Sequence, residues 1–326
     1  MQPPPLLSVL IPAYNAERFL GEALRSVLRQ TITDLEVIVI NDGSTDATAR
    51  ILEEVHDSRL RVFYQENRGY VFSLNRALSE ARGQFVARMD ADDISLSRRL
   101  ELQLTFLENH PQVACVGCQF AQIDEDGKIL NNCVPLPEEH EAIVRRLEKA
   151  QLGILHPSML CRTEALRAIG GYDERISNSE DLDLFYRLAA RFRLANINQV
   201  AFLYRITRSA VSTKFFSSQR KNERILRAAW KRSLVSGQYR LVDADYRNIS
   251  PATKAAPSPK RISAHYYNRV GRALLRGGRW REARLYYFKS AINQPLQLLA
   301  YFGMLRSFLH LGKVPQRLPW AEESAQ

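Results

Sequence analysis

The chain has 326 residues, 45% hydrophobic and 25% charged, which is room for one large α/β domain with an appendage or for two modest domains around a real core. No apolar run approaches the roughly 18 residues of a membrane-spanning helix, and Met1 to Pro5 lacks the basic and apolar regions of a secretion signal, so a cytoplasmic protein is expected. The net charge of +11 is uneven: residues 1–204 carry 22 Lys and Arg against 29 acids, whereas residues 205–326 carry 24 against 6, which points to a polyanionic partner, nucleic acid or anionic membrane, for the C-terminal part.

Leu6 to Ile11 reads as a strand ended by Pro12. Asn15 is placed to cap a helix whose Leu20, Leu24, Val27 and Leu28 recur at helical spacing. Leu35 to Ile40 is β-branched and nearly continuous, as in a central parallel strand covered on both faces. The turn-rich Asn41 to Asp46 leads into a helix near Ala47 to Val55, followed by strand Leu60–Tyr64, helix Tyr70–Ala81 and strand Gln84–Arg88. Leu96, Leu100, Leu104 and Leu107 share one face of the next helix. Cys115 and Cys118 fall in an apolar strand, where residues three apart face opposite sides. No second C-x-x-C completes a zinc site, so buried structural thiols are expected.

This alternation predicts an α/β fold with a mostly parallel sheet and helices on both faces. In such sheets ligands bind beyond the carboxyl ends of the strands. Pro12-Ala13-Tyr14-Asn15, Asp42-Gly43 and Asp90-Ala91-Asp92-Asp93 all fall at predicted carboxyl ends and should share one edge. Asp90 and Asp92 point to the same side of an extended segment. They suit a hard divalent cation that also takes substrate phosphates; alternatively, the triplet is a set of acids favouring a helix N-terminus. Neither G-x-G-x-x-G nor a P-loop is present. An aromatic ring, an acid for base or ribose, and acids for a metal suit a nucleotide whose diphosphate is held through a cation.

The stretches Ser8 to Asn15, Val39 to Asp46, Arg88 to Asp93, Arg99 to Gln103, His110 to Val113, Gly170 to Asp173, Glu180 to Leu184 and Tyr204-Arg205 resemble, in order, the motifs of family 2 glycosyltransferases. The resemblance covers about residues 6–215. It implies a GT-A fold, a nucleotide-sugar donor and inversion at the anomeric carbon. By matched position, Pro12, Ala13 and Tyr14, with Asn15 and Ala91 beside them, line the donor pocket, and Asp42 binds the base. Asp90 contacts the ribose or the metal shell, and Asp92 is the principal ligand of Mn2+ or Mg2+. The resemblance also makes Asp181 of the Glu180-Asp181 pair the catalytic base, although paired acids at a helix start are otherwise simply favourable charges. Arg68 is either a diphosphate donor or a solvated loop residue. His156 either shapes the acceptor side or packs as a structural histidine. Where many family members carry a histidine after the Tyr-Arg pair, this chain has Thr207, and Arg208 is the candidate substitute.

Beyond the expected catalytic domain, 1–215, lie a basic helical segment, 216–249, a linker by composition, 250–262, and a tetratricopeptide-like helical hairpin with an amphipathic tail, 263–326. One such repeat is too few for a solenoid. Residues 296–313, apolar and aromatic among basic residues, suit either an interfacial contact with an anionic membrane or a face buried against the hairpin.

The leading expectation is therefore an inverting, metal-dependent transferase. It would act at the cytoplasmic membrane face on a glycan or lipid-linked acceptor in surface polysaccharide or glycoconjugate synthesis. The competing classes are a catalytically silent nucleotide-sugar module acting through its basic helical region, and a nucleic-acid binder. The last lacks any zinc-finger or basic-zipper pattern, and no nucleic-acid partner is expected.

Overall fold

The computed structural model describes residues 3–210, 213, 216–249, 257–296 and 298–309. They divide into two compact units. The first comprises Met1–Cys118, Leu136–Phe202 and Arg220–Pro251, the second Gln119–Pro135, Leu203–Gln219 and Ala252–Gln326.

The first unit is built on strands β1 (Leu7–Ala13), β2 (Leu35–Asp42), β3 (Leu60–Gln65) and β4 (Phe85–Arg88). They run parallel in the spatial order β3-β2-β1-β4. Every residue of β1 and β2 is buried, which is why their sequences are continuous apolar runs rather than alternating ones. Helices α1 (Leu20–Leu28), α2 (Thr48–Glu53) and α3 (Tyr70–Glu80) connect these strands. Beyond β4 the sheet turns mixed. Strand β8 (Leu160–Arg162) pairs antiparallel with both β4 and β6 (Val113–Ile123), and β9 (Arg193–Arg205) and β5 (Ile94–Ser95) complete the order. Cys115 lies directly opposite Cys161 in the β6–β8 register. These two cysteines, expected as separate thiols, meet sulfur to sulfur.

The register explains the shared edge. Ala13 is level with Asn41, and Leu10 with Arg88, so β1, β2 and β4 release their loops side by side. Opposite them in sequence, α4 (Arg99–Asn109), α5 (His140–Leu147), α6 (Thr163–Ala168) and α7 (Glu180–Ala189) follow. The basic segment from Arg220 onward also belongs to this unit. Helix α8 (Phe216–Ser236) buries Leu226, Ala229 and Trp230 in its core, and Trp230 stacks on Tyr186 of α7 with ring centroids 4.9 Å apart. Stacked aromatic pairs add about 0.5–1.5 kcal/mol to the burial itself. A short helix, α9 (Asp243–Asn248), follows.

The second unit contains β7 (Ile129–Val134) paired with the end of β6, and helices α10 (Pro259–Arg276), α11 (Trp280–Asn293) and α12 (Leu298–Phe308). The expected hairpin is thus α10 and α11, with α12 as a third helix. The ring of Tyr287 holds the three together. It lies 3.1 Å from where a Cβ on Gly271 of α10 would stand and 2.3 Å from one on Gly303 of α12, so α12 closes on it only because position 303 has no side chain. Helix α12 buries Ala300, Gly303 and Ser307 and leaves Leu298, Phe302, Leu305 and Phe308 exposed. Its large side chains are therefore not a face packed against the hairpin. Residues 250–256 of the expected linker and 310–313 of the expected amphipathic segment lie outside the described residues, and residues 259–262 are helical.

Candidate active site

The site starts from two loops that clasp one another. Asn15 adopts the left-handed conformation, φ 49°, which asparagine tolerates better than most residues. Its amide donates to Ser44 Oγ at 3.0 Å, and its Oδ1 accepts from the Thr45 amide at 2.8 Å. This fixes the end of β1 against the loop after β2. Pro12 and Ala13 are buried beneath, while Tyr14 stays 53% exposed at the rim.

Asp42 is buried and already richly bonded. Oδ1 accepts from Gln65 Nε2 at 2.7 Å and the Arg68 amide at 2.8 Å, and Oδ2 from the Gly69 amide at 2.8 Å. Its carboxylate thereby shapes the Arg68-Gly69 loop that begins α3. The exposed Arg68 side chain lies over the Phe72 ring, 3.3 Å from its centroid.

The carboxylates of Asp90, Asp92 and Asp93 each offer an oxygen within 4.8 Å of the others. Arg88, buried to 2% exposure, forms an ion pair with Asp90 Oδ1, which also accepts from Tyr70 Oη at 3.2 Å. Burial alone would make the guanidinium easier to deprotonate, but Asp90, Tyr172 and Asp93 outweigh it and hold its affinity for its proton above the ordinary value. Two buried guanidinium groups, Arg88 and, beside Asp93, Arg99, border the three clustered acids. That donor set, all oxygen and partly open to solvent, fits a divalent cation.

Glu180 and Asp181 open α7, and Asp181 Oδ1 accepts from the Leu182 amide at 2.7 Å. Both are partly exposed, yet protein surrounds them closely enough to raise their proton affinities. For Glu180 the causes are burial and then its Asp181 neighbour; for Asp181, burial, with Asp90 adding to it. The Arg88 charge partly offsets both. The next acid along the helix, Asp183, also has its proton affinity raised by burial, but its partners differ. It is buried, bonded to Arg187 and accepts from Tyr239 Oη at 3.0 Å, so it braces the helix.

His156 is buried, with Nε2 2.8 Å from Tyr172 Oη, and burial followed by the Arg88 charge keeps it neutral. Its ring packs edge-on against those of Tyr172 and Phe185. Tyr172 is in turn clamped to α3: Asn75 Nδ2 donates to the Tyr172 carbonyl at 2.9 Å, and the Tyr172 amide donates to Asn75 Oδ1 at 2.8 Å. Gly171, φ 67°, passes too close to Asn75 Oδ1 for a side chain. A cavity of about 570 Å³ beside Tyr172 has Asp173, Arg175 and Tyr246 on its wall, but these three bond one another. Arg208 lies in the second unit, ion-paired with Glu125 and stacked over Tyr266 at 4.2 Å, and Thr207 Oγ1 accepts from the Ala210 amide at 3.1 Å.

Arg88 and Tyr172 lie in motif stretches, but neither they nor Tyr70 carried an expected role. Only the place of Arg88, two residues before Asp90, hinted at a charge partner.

Residues 8–170 match the model of glycosyl transferase family 2. The chondroitin synthase of Escherichia coli is 32% identical over 220 residues, 67% of this chain but 31% of that protein, so the chain spans under a third of that relative's length. An uncharacterized glycosyltransferase of Methanocaldococcus jannaschii is 32% identical over 62% of this chain and 71% of its own. Among solved structures, S. aureus TarS 1–349 in complex with UDP-GlcNAc aligns with a TM-score of 0.58 at 19% identity, over 93% of this chain and 91% of its own. The mannosyltransferase PcManGT of Pyrobaculum calidifontis, in complex with GDP-Man and Mn2+, aligns with a TM-score of 0.52 at 19% identity, over 99% and 84%. At that identity these structures speak for the fold alone, which is of the GT-A type. The family model spans half of the chain, and by that match and the archaeal relative the chain belongs to glycosyl transferase family 2.

Proposed function

We propose that the first unit is an inverting glycosyltransferase. It moves a sugar from a nucleoside diphosphate, with uridine the favoured base, to a hydroxyl of a glycan or lipid-linked acceptor in polysaccharide or glycoconjugate synthesis. The observation that carries this reading is electrostatic. The Asp90-Asp92-Asp93 cluster and the Glu180-Asp181 pair both lie within reach of the buried Arg88 charge, so one small volume gathers five acids. Family membership, relatives named as chondroitin synthase or glycosyltransferase, and complexes with UDP-GlcNAc and GDP-Man among the fold's neighbours all support a nucleotide-sugar donor.

In this reading Tyr14, on the rim above Pro12, Ala13 and Asn15, stacks on the base, and Asp42 holds the adjoining loop while reaching the base edge. Ala91 lines the floor. Asp92, with Asp90, would hold the divalent ion, Mn2+ or Mg2+, whose charge stabilises the departing diphosphate; one unit-charge pair at about 4 Å and an effective dielectric of ~20 is worth roughly 4 kcal/mol. Arg88 keeps Asp90 oriented. Asp181 takes the proton of the acceptor hydroxyl as its oxygen bonds to the anomeric carbon and the bond to the diphosphate breaks. Its raised proton affinity makes it a stronger base than an exposed aspartate. Glu180 shares that environment and orients the acceptor.

The reading is tested by screening nucleotide sugars for thermal stabilisation with and without manganese. A manganese-dependent rise in Tm with at least one nucleotide sugar is expected, and Asp92→Asn removes the manganese-dependent part. No shift with any nucleotide sugar would sink the proposal.

A further inference from the structure

Helix α12 is built inside out. Burial of apolar area normally drives large side chains inward, yet here the inward stripe is Ala300, Gly303 and Ser307, all small. The outward surface carries Leu298, Phe302 and Leu305, at 81%, 61% and 54% exposure, with Tyr301 and Phe308 alongside. Positions 298, 302, 305 and 309 repeat at helical spacing and make one stripe. Helix α11 carries a second, formed by Leu285, Phe288 and Ile292, each more than half exposed. Scattered exposed apolar residues need no explanation, whereas continuous stripes on two neighbouring helices mark a contact surface.

Charge identifies what covers it. Residues 259–308 contain ten lysines and arginines against a single acid, Glu282. That acid is bound by Arg279 and Lys128. Arg281 continues the α11 stripe one turn before Leu285, Arg306 is exposed on α12, and the Arg284 guanidinium lies 4.4 Å from the centroid of the Phe308 ring. A second copy of this chain would set cationic helices against cationic helices, which is unfavourable. An anionic bilayer supplies both halves of the complement. Its acyl boundary takes the apolar stripes, and its headgroups take the arginines, whose long side chains reach outward past the apolar layer. No described helix is long and apolar enough to cross a membrane, so the contact is one of lying on the surface.

We propose that the outer face of α11 and α12 is a docking surface for a bilayer containing anionic phospholipid. The inference stands apart from the transferase reading, since it rests on residues of the second unit and its test needs no turnover. The full chain is mixed at low salt with vesicles of phosphatidylcholine alone or of phosphatidylcholine with phosphatidylglycerol, and the bound fraction is read by flotation. The native chain floats with the anionic vesicles, stays behind with the neutral ones, and releases as salt rises. The double variant Phe302→Glu, Leu305→Glu weakens binding at least about tenfold, with circular dichroism and Tm unchanged because both residues are exposed. Arg281→Glu with Arg306→Glu weakens it selectively for the anionic vesicles. The proposal is overturned if the native chain ignores both vesicle types, or if the folded Phe302, Leu305 variant floats as well as the native chain. It is equally overturned if light scattering finds a dimer that this variant dissolves, which assigns the face to a second copy.

Discussion

Two sets of carboxylates in the first unit live under opposite regimes. Glu36, the second residue of β2, is buried, and burial by itself favours its neutral form. Ser8 Oγ at 2.7 Å, the Arg82 amide at 2.9 Å and the guanidinium groups of Arg61 and Arg82, at 2.8 and 2.9 Å, overcome that cost and hold the acid ionised below the ordinary carboxylate range. Glu180 and Asp181 have backbone amides and one shared cation as partners, which burial outweighs, and their proton affinities rise instead. A carboxylate that locks strands together is saturated with donors, whereas acids that meet a ligand keep their ionisation unfavourable until the ligand arrives. Between Glu36 and the Glu180-Asp181 pair, perturbation without saturation is what differs.

The comparison breaks most visibly in turnover. Asp181→Asn removes the proposed proton acceptor at almost constant shape, so transfer should fall by ~10²–10⁴-fold, while Tm stays level or rises. The assay is release of nucleoside diphosphate in the presence of acceptor, alongside a thermal melt. Full activity in the variant would return Asp181 to the status of a helix-start charge.

The matching substitution on the scaffold side has the reverse pattern. Glu36→Gln leaves Arg61 and Arg82 without their common anion, and both retain enough exposure to rehydrate in part, at 28% and 57% of the side chain. A loss of about 1–3 kcal/mol is expected, read from urea unfolding, with turnover per folded molecule unchanged. Because the folded Glu36 titrates below its unfolded value, its contribution is complete above the unfolded carboxylate range and disappears as pH falls through the folded one. Native and variant chains should therefore converge in stability under acid.

How far the sequence reaches follows from the same contrast. Strands β1, β2 and β4 are legible because doubly covered parallel strands must be continuous apolar runs, and their register then forces the Pro12–Asn15, Asp42 and Asp90–Asp93 segments onto one edge. The antiparallel side is not legible. Strand β8 has three residues and β5 two, too short for any periodicity, and their pairing is decided by partners far along the chain. Within the site, the carboxylates are visible as residue types at telling spacings, but the partners that tune them are not. Tyr70 reaches Asp90 from the first residue of α3, and Tyr172 reaches His156 only because Asn75 clamps its backbone. In α12 the composition announces an amphipathic helix without saying which side is outside, because the small-residue stripe that docks it matters only once Tyr287 is in place.

The smallest expected effect is the one that tests the regime itself. In the folded chain Glu180 and Asp181 bind protons more tightly than unfolded carboxylates do. Between those two ranges the folded state holds protons that the unfolded state has released, so this pair makes stability decline as pH rises. Glu180→Gln removes a charge that burial and Asp181 disfavour. It should raise stability near neutral pH by about 1 kcal/mol, the size usual when a strained functional position is relaxed. The gain should shrink as pH falls through the unfolded carboxylate range and vanish below about pH 3, where the native pair is protonated in both states. Thermal melts of native and variant chains across that range read it directly. A loss of stability at neutral pH, or a difference that ignores pH, would mean that Glu180 is held as firmly as Glu36, and the distinction between scaffold acid and site acid would fail at that residue.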